Sequence, residues 1–83
     1  MEIVKLKPED YTRLRYPHKF KYAAKDSDGE YFLYTHEPEL LEYGFRDAVW
    51  YDYYDGILHL IPTPSREVGT LFRDSLRKIV WVT

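Results

Sequence analysis

Among the groups in this 83-residue chain that could do covalent or acid–base chemistry are three serines, three histidines and fourteen acids; cysteine is absent. Ser27 falls in a turn signal, Ser65 at a helix start and Ser75 on a helical pattern, and none sits in a G-x-S-x-G elbow. His18, His36 and His59 are scattered and read as polar strand residues, with no second ligand at zinc spacing. Asp26, Asp28, Glu30 and Glu37 occupy the first, third, fifth and twelfth places of a calcium loop. Such a loop needs glycine in the sixth place, whereas Gly29 stands in the fourth and residues 31–34 read as strand, so a hairpin turn is expected instead. The four glycines are isolated, so no phosphate-cradling loop is present. The expectation is therefore a non-enzymatic chain with no catalytic residue, no metal ligand and no cofactor.

Binding surfaces are better represented. Residues 1–25 carry seven bases against three acids, residues 26–55 nine acids against Arg46 alone, and residues 56–83 four bases against two acids. An acidic middle on one face would repel nucleic acid or attract a basic protein groove. Within it, Trp50, Tyr51, Tyr53 and Tyr54 crowd into five positions. On a strand, Trp50 and Tyr54 share a face with Asp52, while Tyr51 and Tyr53 share the other. A domain this small is not expected to cover both faces, so one packs and the other binds; aromatic rings often dominate interface energy. The partner-binding candidates are Trp50, Tyr51 and Tyr53 with the nearby acids Asp47, Asp52 and Asp55. The alternative site is nucleic-acid-binding: Lys19, Lys21 and Lys25 beside Tyr22, a basic strand with a ring for base stacking. A net charge of −2 counts against it, because phosphate neutralisation carries such affinity. A third possibility is a homodimer in which the aromatic face pairs with itself.

These groups need elements to hold them. The chain reads as a single domain, residues 1–83, without repeat or linker. Residues 2–7 (EIVKLK) alternate Ile3 and, weakly, Leu6 with charge, as a short edge strand would, followed by a helical turn that Pro8 starts and Pro17 ends. Residues 19–37 read as a hairpin around Asp26-Ser27-Asp28-Gly29, with Phe20, Tyr22 and Ala24 on an apolar face and the lysines on the other. Residues 37–45 suggest one or two helical turns from Pro38 to Gly44. Residues 50–54 and 57–61 flank Asp55-Gly56, the signal for a second, tight hairpin. After Thr63-Pro64, the spacing of Val68, Leu71, Phe72, Leu76, Ile79 and Val80 predicts a C-terminal helix, although the apolar tail IVWV also suits a strand. The expected fold is α+β: a small, mainly antiparallel sheet of two hairpins plus an N-terminal edge strand, with the C-terminal helix packed on one face.

One pattern is similar to a known group. Tyr22, Ala24, Asp26, Asp28, Gly29, Tyr34 and Pro38, followed by Phe72, Ser75 and Leu76, resemble small proteins of tailed phages and prophages. These carry an aromatic-x-A-x-D-x-D-G hairpin and a C-terminal aromatic-x-x-S-L motif; Phe72 stands where tryptophan is expected. The resemblance implies a phage or prophage protein that binds, and so inhibits, a host protein of defence or nucleic-acid processing. No secretory leader is visible at MEIVKLKPEDY, and no apolar run approaches the roughly 20 residues that span a bilayer, so no membrane partner and a cytoplasmic location are expected.

Overall fold

The computed structural model describes residues 1–42, 48–52, 57–60 and 69–82, with Ala48 and residues 57–60 described by backbone alone. Among the described residues there are seven strands: β1 Ile3–Leu6, β2 Tyr22–Lys25, β3 Tyr31–Tyr34, β4 Glu39–Glu42, β5 Ala48–Tyr51, β6 Ile57–Leu60 and β7 Arg77–Trp81. Five form one sheet in the order β1-β7-β2-β3-β6, and β4 and β5 form a second. Helical geometry among the described residues is confined to 3-10 turns at Pro8–Asp10, Pro17–Lys19 and Phe72–Asp74.

The first hairpin forms as its turn chemistry requires. β2 and β3 pair antiparallel, with Tyr22 opposite Tyr34 and Lys25 opposite Tyr31. Asp26 and Glu30 close the turn, the Gly29 N–H donates to the Asp26 carbonyl, and Gly29 adopts φ +89°, which a side chain would oppose. Yet β2 has no basic outer face. It is a central strand, and the Lys21 backbone pairs on both sides, its N–H with the Tyr34 carbonyl and its carbonyl with the Ile79 N–H.

Both faces of the main sheet are covered. Paired residues lie on one side and alternate along each strand. One side carries Val4, Leu6, Ala23, Tyr31, Leu33 and Ile79, under Leu14, Tyr11 and Phe20 from the segment after β1. The other carries Ala24, Tyr34, Tyr22 and Phe32, against Trp50 and Leu40 from the second sheet and Leu76. Small Ala23 and Ala24 let layers approach on both sides of β2.

Five expectations are corrected. The C-terminal helix is replaced by β7, so the fold is sheet-rich and not α+β. β1 lies parallel to β7, Val4 opposite Ile79 and Leu6 opposite Trp81, while β2 holds its other edge. Strand partners on two sides outweigh the weak intrinsic helical preference of residues 71–80. Residues 39–42 are strand, not helix, and β4 pairs with β5. β5 and β6 do not form a hairpin: β6 pairs with β3, in the other sheet. The Asp55-Gly56 turn and Thr63-Pro64 lie outside the described residues. Finally, β1 is the expected edge strand but turns Val4 and Leu6 inward, leaving Ile3 44% exposed. Pro8 opens a turn as expected, whereas Pro17 starts a second one instead of merely ending the first.

A side chain completes the sheet where β7 gives way to the 3-10 turn. Extending the β2–β7 register from Ala23–Arg77 sets Ser75 opposite Lys25. There the buried Ser75 hydroxyl accepts the Lys25 N–H at 2.8 Å and shares its proton between the Lys25 carbonyl at 3.1 Å and the Phe72 carbonyl at 2.6 Å. Ser75→Ala strands these groups, and a loss of about 1–3 kcal/mol is expected in urea denaturation. An unchanged midpoint would show that the hydroxyl is dispensable.

Candidate functional site

A group of polar contacts surrounds Trp50, on the side of the main sheet that faces β4–β5. Asp26, just past the end of β2, accepts the Trp50 N–H on Oδ1 at 3.2 Å. Tyr34, at the end of β3, donates its hydroxyl to the Trp50 carbonyl at 3.3 Å. The indole Nε1–H donates to the Phe72 carbonyl at 3.0 Å. Arg73 then reaches β4 through an ion pair with Glu42. Trp50 is 9% exposed and Asp52, two residues on, 1% exposed.

Burial sets the electrostatics. It pushes the Asp26 carboxyl above its ordinary 3.8, and the nearby charges of Asp28 and Glu30 add to this, while the Trp50 N–H opposes it. Burial also pushes the Tyr34 phenol far up, aided by Asp26 and Asp52. Tyr34 therefore stays protonated and serves as a donor, not as a base. Among the described residues no set of three or more His, Cys, Asp or Glu is arranged to hold a metal ion. The turn acids are engaged with backbone: Asp26 with Trp50, and Asp28 Oδ1 with the Glu30 N–H at 2.9 Å. What this constellation can do is fasten two sheets together.

The sequence-predicted residues divide. Trp50 and Asp52 are interior and offer a partner no surface. Tyr51 points the other way, 39% exposed. Asp47, Tyr53 and Asp55 lie outside the described residues. Of the basic set, Lys19 and Lys21 are exposed, Lys25 is half-buried beside Ser75, and Tyr22 packs in the core beneath Trp50. The four do not form one face. Lys19 instead joins Arg13, Arg15 and Tyr16 in the turns after β1, outside any strand. Their signal was the run RLRYPHK, residues 13–19, where bases flank a ring.

The resemblance motif has a structural explanation. Ala24, Asp26, Tyr34, Phe72, Ser75 and Leu76 all pack against Trp50 or hold the groups around it. No protein-family model matches the chain, and neither a curated protein nor a solved structure does. The likeness to phage proteins thus rests on those residues alone, and neither a phage setting nor inhibition of a host protein gains support. Among the described residues no helix is long and apolar enough to cross a membrane.

Because the folded protein holds Asp26 above its unfolded value, its favourable contribution is present below pH 3.8 and is lost as pH rises through the folded value. Asp26→Asn keeps the acceptor and removes the charge, so thermal melts should show it gaining on the wild type from below 3.8 to neutral pH. Asp26→Ala strands the Trp50 N–H and should lose about 1–3 kcal/mol at neutral pH. Equal losses for both variants would contradict this.

Proposed function

We propose that the chain is a non-enzymatic protein-binding domain that uses the outer face of β4–β5. The observation that carries this reading is the alternation on β5: Trp50 and Asp52 are spent inward while Tyr51 projects. The register sets Tyr51 opposite exposed Glu39, and half-buried Val49 opposite half-buried Leu41. The result is an apolar strip with a ring and a carboxylate at one end.

Cross-strand partners have Cβ atoms about 4.5–5.5 Å apart, so an incoming arginine can lie over the Tyr51 ring and hydrogen-bond the Glu39 carboxylate together. A partner presenting arginine beside an apolar patch fits best. The engaged state of Asp26, Tyr34 and Ser75 supports a binding role over a catalytic one, because their polar atoms hold backbone.

Affinity capture with the tagged wild type, compared with Tyr51→Ala and Glu39→Lys, tests the surface. Truncating the Tyr51 ring should weaken the captured complex by at least about 30-fold, and Glu39→Lys should abolish its preference for a basic partner. Capture of the same partner by all three proteins would refute this surface. Self-association that Tyr51→Ala removes would instead assign the strip to a homodimer.

A further inference from the structure

On the other side of the main sheet, the segment between β1 and β2 forms an open pocket of about 240 Å³ lined by Arg13, Leu14, Arg15, Tyr16, Lys19 and Phe20. The turns are pinned from below by Trp81. Its Nε1–H donates to the Phe20 carbonyl at 2.9 Å, and its ring meets Tyr11 edge-on at 6.4 Å and His18 at 6.2 Å. Leu14, buried in the core, and half-buried Phe20 supply the apolar wall. Three cations and no acid line the pocket.

We infer that this pocket binds single-stranded nucleic acid, with a base against Tyr16 and Phe20 and phosphates on Arg13, Arg15 and Lys19. The Tyr16 ring is 65% exposed, with the Arg15 guanidinium 5.5 Å from its centre. An open ring beside an arginine is a stacking platform for an unpaired base. Bases in a duplex are not presented this way. The cavity is smaller than the roughly 300–1,000 Å³ that enclose a whole small ligand, so it takes one unit of a longer one. Exposed Lys21, two residues beyond Lys19, extends the cationic track. The acids of the Asp26–Glu30 turn lie at the far end of β2, about 20 Å away at roughly 3.3 Å per residue.

Fluorescence anisotropy with a short labelled oligothymidylate tests this. Three phosphate contacts predict that log affinity falls with log salt at a slope of about −2. Arg15→Gln with Lys19→Gln should reduce that slope to about −0.7. Lys5→Gln with Lys78→Gln makes the same charge change on the opposite side of the sheet and should leave it unaltered. Tyr16→Leu should weaken binding at least about fivefold, and Tyr16→Phe should restore it. All variants are at exposed positions, and thermal melts check that each is folded. Absence of binding at low salt, equal weakening by both double variants, or competition by polyglutamate or free adenosine monophosphate as effective as by unlabelled oligonucleotide would overturn the inference.

Discussion

Everything on the inner side of the second sheet depends on how Trp50 is held. Its amide, its carbonyl and its indole N–H are bonded to Asp26, Tyr34 and Phe72, which come from three separate parts of the main-sheet chain. Each bond contributes only about 1 kcal/mol net. Together they fix the register and tilt at which β5 lies on β2 and β3. Burying a large ring removes about 150–250 Å² from water, or about 4–6 kcal/mol at 25 cal/mol per Å². A two-stranded ribbon is marginal by itself. The clasp therefore converts β4–β5 into a covering layer, and it decides which β5 side chains remain outside.

This layer solves a problem of scale. The chain has no cysteine to cross-link it, and no α-helix among the described residues to roof the sheet. It covers one face with turns anchored by Trp81 and the other with a ribbon anchored by Trp50. Both tryptophans, Trp50 buried and Trp81 half-buried, place the indole N–H on a backbone carbonyl. The chain ends are joined by β1 and β7, with an ion pair between Glu2 and Arg77 at 3.3 Å.

Local chemistry was legible in the sequence where the answer was local. The Asp-x-Asp-Gly turn specifies the β2–β3 hairpin because Gly29 needs positive φ and Asp28 bonds two residues on. Partners far apart in sequence were not legible. Residues 71–80 carry apolar groups at helical spacing, yet the inward residues of β7 are Ile79 and Trp81, spaced by two and selected by β1, more than 70 residues earlier. Nothing near residue 77 announces that partner. Likewise Asp55-Gly56 suggested that β5 and β6 pair, whereas their partners β4 and β3 belong to different sheets. In the ring-rich stretch, Trp50 and Asp52 lie on the inward side, where Asp26 and Tyr34 bond the Trp50 backbone, while Tyr53 and Tyr54 lie outside the described residues. The basic pocket was not legible because irregular turns, not a strand, gather its cations.

The most direct test of the clasp is native-state hydrogen exchange at Trp50, read by NMR at its amide and indole N–H. If the three bonds fasten the two sheets, both protons exchange only on global opening, at the rate of the slowest amides of β2 and β3. Rapid exchange at Trp50 while β2 and β3 stay protected would show that β4–β5 lifts off independently, and the clasp would not be what holds the layers together.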